Sequence, residues 1–348
     1  MKCATLDAVR ASNATLKNLG PGLVGVFVGG TSGIGEAILK SFTKATVSPN
    51  VYIVGRSQEA AKRIEEECRA INAAAKVSFV QADLTELANV DKVCSEIEQK
   101  EQVVNLLVLS PGFLSLEGRN VSSEGLDRKM AVHYYSRMRF IKNLQPLLNR
   151  AASSSPVQLS RVMSVLGAGH GGKIVEDDLD LQKNFSLSNC AAHCGTMTDL
   201  SLEKFASIEP GTAFVHTSPG VVKTNIDSQL PFWARGLLKV VSPLLSPWTV
   251  SLEETGERHL YMATSNRYPP ARFAEQTGDH VGAPLAKDQE VAEGSTGERG
   301  SGAYLLNWDG QVQKQDAEIL KEYRKTGIAA KVWEHMLRAG EQSQPAKE

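Results

Sequence analysis

The sequence predicts an α/β protein, a doubly wound parallel sheet (a Rossmann fold) with helices on both faces and a C-terminal extension. Short β-branched runs alternate with longer helical patterns from about Leu23 onward, which is the pattern of βαβ units around a parallel sheet. The first unit carries a glycine-rich turn, FVGGTSGIGEAIL, between a buried strand and a helix. That arrangement lets backbone N–H groups approach a pyrophosphate. With 348 residues and 42% hydrophobic content, the chain can build one large core with a modest extension.

In order, LVGVFVGG reads as the first strand, and a helix follows from Gly33 to about Lys44. VYIVGRS is the second strand and EAAKRIEEECRAINA the second helix. KVSFVQADL and VNLLVLSPG give the third and fourth strands. A long helix spans about Ser123 to Asn149. SRVMSVLG is the fifth strand, about Leu187 to Ala206 a helix, and TAFVHTSPG the sixth strand. Residues 269–299 are polar and rich in Gly and Pro, as loops are. GSGAYLLNWDG reads as a last edge strand, about Gln313 to Arg338 as helical, and GEQSQPAKE as disordered. The expected organisation is an N-terminal segment 1–21, the main domain 22–260, and an extension 261–348 that completes it. The apolar stretch from Leu230 to Val250, broken by Pro231, Pro243 and Pro247 and charged at Arg235 and Lys239, reads as part of a lid from Ile226 to Val250; lying on a membrane surface is the alternative.

A formal net charge of −1 gives no global attraction to nucleic acid. No stretch approaches the roughly 20 apolar residues of a membrane span, and the first 22 residues hold no apolar run of signal-peptide length. Five cysteines form no repeated framework, so reduced thiols and a cytoplasmic location are expected. Cys190, His193 and Cys194 offer only three ligands, too few for a structural zinc site; no metal is expected.

Gly29, Gly33 and Gly35 sit in a strand–turn–helix, with Thr31, Ser32 and Ile34 between them. The helix start adds partial positive charge for phosphates. About 20 residues further on, Gly55-Arg56-Ser57 ends the second strand with no carboxylate to bind a ribose hydroxyl. A guanidinium suits a 2′-phosphate, which favours NADP(H); Arg56 as a plain solvent-facing arginine is the alternative.

The GxxxGxG spacing resembles the short-chain dehydrogenase/reductase superfamily, over roughly residues 22–230. Asp83-Leu84 resembles the family's adenine-facing aspartate turn. Ser110-Pro111-Gly112 stands where the family has Asn-Ala-Gly. Ser218-Pro219-Gly220-Val221-Val222-Lys223-Thr224 resembles its PG turn, whose threonine lies near the nicotinamide amide. The remainder of the chain looks like a fungal branch found in secondary-metabolite pathways. The family pairs through two long helices, here about 123–149 and 187–206, which leaves a homodimer open, with the extension as a competing cover for those faces.

The resemblance implies a serine, a tyrosine and lysine in YxxxK, and an asparagine one helix earlier. The tyrosine protonates the forming alkoxide, and the lysine lowers the tyrosine's pKa. Ser164 matches the serine. Alignment by distance to the PG turn puts Phe185 in the tyrosine position and Asn189 in the lysine position, while His133 takes the asparagine position; no YxxxK occurs in this region. His193 shares a helical face with Phe185 and Asn189. His133, His193 or Tyr134 (with its neighbour Tyr135) are the replacement proton donors available. Packed histidines and core tyrosines are the alternative reading. Three functions follow: an NADP(H)-dependent oxidoreductase acting on a bulky small molecule, a redox-neutral isomerase or cyclase retaining the nucleotide, or a noncatalytic binding protein on this fold.

Overall fold

The computed structural model describes residues 3–156, 159–222, 231, 249–275, 281–286 and 289–342. Most of the expected lid, Lys223 and Thr224 of the PG turn, and the last residues from 343 lie outside this set.

The chain opens with helix α1 (Leu6–Ala14), capped by Thr5, whose hydroxyl accepts from the Ala8 amide. The first βαβ unit is β1 (Val24–Val28), α2 (Gly33–Ala45) and β2 (Asn50–Gly55). Then come α3 (Gln58–Ile71), β3 (Lys76–Gln81), α4 (Leu87–Lys100) and β4 (Leu106–Leu109). The next helical stretch is three pieces in series. A short α5 (Arg128–Met130) passes through a π-helical turn (Ala131–Tyr135) into α6 (Ser136–Ala152). It begins five residues later than expected, because Asp127 is its N-cap. Strand β5 (Arg161–Val165), α7 (Leu187–Ile208) and β6 (Ala213–Thr217) complete the second half. Two-residue strands β7 (Val221–Val222) and β8 (Thr249–Val250) pair with each other. Helix α8 (Leu252–Thr264), strand β9 (Ala303–Leu306) and helices α9 (Ala317–Thr326) and α10 (Ile328–Gln342) end the described chain.

Seven strands form one parallel sheet in the order β3-β2-β1-β4-β5-β6-β9. This is the doubly wound Rossmann architecture, and β9 is its edge. The strand order reverses between β1 and β4, which is where such sheets open a crevice at their carboxyl ends. Strands β1, β4, β5 and β6 are buried on both faces, and two apolar clusters fill the two sides. One side carries α4, α6 and α7; the other carries α1, α2 and α8. Helix α10 packs over α7, with Trp333 edge-on to Phe205 at 4.9 Å between ring centroids.

Candidate functional site

The carboxyl ends of β1 to β4 open into a groove of about 450 Å³. Its floor is the glycine-rich turn. Gly29 has φ +81°, and a Cβ there would lie 2.7 Å from the Pro111 nitrogen. A Cβ on Gly35 would overlap the Ser110 hydroxyl and sit 2.6 Å from the Gly29 carbonyl. Only glycine allows β1, α2 and the turn after β4 to approach this closely. Ser32 makes no side-chain capping bond to α2, so the first N–H groups of the helix keep their capacity for an anion. Thr31, Ser32, Gly33 and Ile34 line the groove with them.

Arg56 is exposed at the rim, and Ser57 caps α3 by accepting from the Ala60 amide. Asp83 and Leu84 line the same wall. The Asp83 carboxylate accepts from the amide and hydroxyl of Thr85, each at 3.0 Å, and its other oxygen lies 3.9 Å from Arg128. Ser110, Pro111 and Gly112 line the opposite wall, with the Ser110 hydroxyl donating to the Val28 carbonyl at 3.1 Å. Pro219, Gly220 and Val222 follow β6 outside the groove lining; Gly220 has φ +71° against Trp308. The residues present therefore fit a dinucleotide. Glycines leave room for a pyrophosphate over a helix start, and Arg56 adds positive charge at the groove's rim.

The expected catalytic residues are placed differently from their expected roles. Ser164 is fully buried. Its Oγ accepts from Arg137 Nη1 at 2.7 Å, and the same guanidinium donates to the carbonyls of Leu109, Val165 and Pro111. Burial pushes the Arg137 pKa down to about 9, which still leaves it charged at neutral pH. Ser164 Oγ thus takes part in the hydrogen-bond network of an internal cation. His193 is also fully buried, accepting from the Val175 amide at 2.8 Å on Nε2 and paired through Nδ1 with the Leu179 carbonyl. Both ring nitrogens pin the segment before α7, and neither is free for proton transfer. Tyr134 is buried against Ser201 at 2.9 Å, and Tyr135 bonds His335 of α10 at 2.7 Å. These are packing roles.

His133 stands at the π-helical turn, a feature frequent at functional sites. Its Nε2 accepts from the Phe113 amide at 3.2 Å, and its ring stacks near that of Phe113. Burial, with Arg137 and Lys129 nearby, pushes its pKa down to about 3. The imidazole is neutral at physiological pH and holds the loop after β4. Phe185 is half-buried with the Lys129 ammonium 5.2 Å from its ring centroid. Asn189 lies in the first turn of α7 and donates to the Asn184 carbonyl at 2.8 Å, so it too closes the local backbone.

Arg137 and Lys129 belong to no motif in the sequence, yet both flank the groove from beneath and within. Arg137 could have been noticed as a charge inside the otherwise apolar face of α6. Lys129 lies four residues before His133 and so shares its helical side.

Residues 24–172 match the short chain dehydrogenase family. The chain is 44% identical to Oxidoreductase AN1596 of Emericella nidulans, over 95% of this chain and 96% of that one. The chain belongs to the short-chain dehydrogenase/reductase superfamily. Another fungal relative, Oxidoreductase andH of Emericella variicolor, is 38% identical over 96% of each chain. Among solved structures, the KRED1-Pglu enzyme matches with TM-score 0.52 at 17% identity, covering 69% of this chain and 94% of its own. The alcohol dehydrogenase of Thermococcus sibiricus complexed with 5-hydroxy-NADP matches with TM-score 0.50 at 15% identity, covering 69% and 89%. At such identities these structures speak to the shared dehydrogenase/reductase fold. Among the described residues, no helix is long and apolar enough to cross a membrane.

Proposed function

We propose that this short-chain dehydrogenase/reductase is an NADP(H)-dependent oxidoreductase acting on a bulky small molecule, with an active site that does without the tyrosine–lysine pair. The observation that carries the reading is the groove itself, a glycine cradle over the start of α2 that ends at Arg56 with no carboxylate at the end of β2. Gly29 to Gly35 would hold the pyrophosphate, Arg56 and Ser57 the 2′-phosphate, and Asp83 and Leu84 the adenine. Ser110 to Gly112 would flank the nicotinamide half, with Thr224, outside the described residues, assigned to its amide. The cofactor supplies a hydride when bound.

Beside the polar Glu117, Asn120 and Lys129, the groove also offers apolar surface. Phe113 and Val132 line it, and Leu114 and Leu116 are 45% and 49% exposed on the adjoining loop. Such walls suit a large hydrophobic substrate. Ser164, His193 and Tyr134 are committed to internal contacts, so none of them delivers a proton without rearrangement. Substrates whose reduction needs little acid assistance fit this site, for example a conjugated iminium or a polarised enone. The redox-neutral reading is weaker on the same ground, since an isomerase also needs an acid–base group. Fungal relatives support a place in secondary metabolism, and five free thiols support a reducing, cytoplasmic setting. Helix α10 lies across α7 and bonds the π-helical turn through His335. We therefore assign those faces to the chain's own extension instead of a second copy.

The test is NADPH oxidation followed by absorbance with simple ketones and with polarised enones. Slow or absent turnover of the ketones with measurable turnover of an enone is expected. Brisk oxidation with plain ketones would show that efficient acid machinery is present after all.

A further inference from the structure

Three cations line the groove: Arg56, Arg128 and Lys129. Arg56 ends β2 and Arg128 leans toward Asp83, so both stand at the adenosine end. Lys129 points the other way. Its Nζ donates to the Gly118 carbonyl at 2.9 Å and lies 5.2 Å from the centre of the Phe185 ring, with its side chain 6% exposed. The nearest carboxylate, Asp127, is 3.8 Å away. It is already engaged by the amides of Lys129, Met130 and Asn120. An ammonium has three N–H donors, and the Gly118 carbonyl takes one. A buried cation with uncommitted donors thus stands against the ring that occupies the family's tyrosine position.

We propose that Lys129 supplies, from α5, the positive charge that the family takes from a lysine on α7, and holds the substrate oxygen beside Phe185. The proposal rests on the reading that the groove holds a reduced nicotinamide dinucleotide. In the reaction, the substrate carbon gains a hydride from the reduced nicotinamide, which is thereby oxidised by two electrons. The π pair of the polarised double bond moves onto oxygen. That oxygen is held by the Nζ–H donors and takes a proton from Nζ, and the amine is reprotonated from water. Positioned charge of this kind acts where negative charge develops.

The built-in probe is Phe185→Tyr, which puts a phenol beside Lys129 without any added ligand. The difference spectrum against the unmodified chain isolates this phenol from the seven native tyrosines. Its pKa is expected at least about one unit below the ordinary value of about 10, and adding Lys129→Met should restore it. A phenol titrating at or above its ordinary value, unmoved by Lys129→Met, overturns the proposal. Should Phe185→Tyr not fold, Lys129→Met and Lys129→Arg are compared in the unmodified chain. Lys129→Met is expected to keep NADPH affinity within about threefold and to lose about tenfold or more in single-turnover reduction of phenanthrenequinone, with Lys129→Arg retaining most of the rate. Equal rates in the unmodified chain and Lys129→Met, or no quinone reduction by an unmodified chain that binds NADPH, overturn it. Absence of NADPH binding overturns the functional reading instead, while the phenol titration still judges Lys129.

Discussion

Arg137 Nη1 lies 2.7 Å from Ser164 Oγ, and both side chains are fully buried. The guanidinium ties the carboxyl ends of β4 and β5 together by donating to the carbonyls of Leu109 and Val165, and it also donates to the carbonyl of Pro111 in the turn after β4. This position beneath the groove gives the cation a structural task beside the serine that the sequence matches to the family's.

Arg137→Met should destabilise the chain by about 3–5 kcal/mol, since it strands three buried carbonyls and a hydroxyl. Ser164→Ala should cost only about 1–3 kcal/mol, because the guanidinium keeps its carbonyl partners. Urea unfolding checks both. Equal, small losses would mean that the network contributes little. NADPH affinity should survive Ser164→Ala nearly unchanged, and a large loss of binding would place the serine in the cofactor site.

Acid sensitivity follows from the buried imidazoles. Burial lowers the pKa of His133 to about 3 and of His259 to about 4, against about 6.5 in the unfolded chain. The unfolded state therefore binds more protons between those values, so stability falls as pH drops from about 6.5 toward 4. At pH 5 each ring contributes about 2 kcal/mol of this loss. Buried Asp199 and Glu203, whose pKa values are raised by burial, act in the opposite sense, so the informative quantity is a difference between variants. His259→Leu should show a smaller drop in urea midpoint between pH 7 and pH 5 than the unmodified chain. An identical drop would show that His259 is protonated in the folded state.

The extension makes a prediction about assembly. Trp333 packs on Phe205, and Tyr135 bonds His335, so α10 covers the sides of α7 and the π-helical turn. Sedimentation of the full chain should show a monomer. Trp333→Ala, which uncovers the Phe205 ring, should cost about 1–3 kcal/mol, less than for a core tryptophan because Trp333 is only partly buried. A stable dimer in the unmodified chain would contradict the assignment of these faces.

The sheet was legible because its inner strands are uninterrupted apolar runs, as in VGVFV and LLVL, and the cradle because glycine is forced by close approach at Gly29 and Gly35. Helices α1, α4 and α8 were not among the expected elements. In α1 only Val9 and Asn13 are buried, too little for a periodic signal. In α4 the period was present in Leu87, Val90, Val93, Cys94 and Ile97, but strand signals on either side dominated the reading. The surroundings of the expected catalytic residues were not legible, because a buried histidine and an exposed one have the same letter. What separates them is partnership across the chain, such as His193 with Val175 and Leu179, or Ser164 with Arg137. Neither spacing nor residue type records that.

In the proposed function, the groove takes NADP(H) through Arg56. Calorimetric titration of the unmodified chain with NADPH and with NADH, repeated on Arg56→Ala, tests it most directly. A charge-assisted contact to the 2′-phosphate is worth on the order of 1.5–3 kcal/mol. NADPH should therefore bind about ten- to a hundredfold more tightly than NADH, and Arg56→Ala should remove most of that preference while leaving NADH affinity in place. Equal affinity for the two nucleotides in the unmodified chain, or no binding of either, would contradict the account.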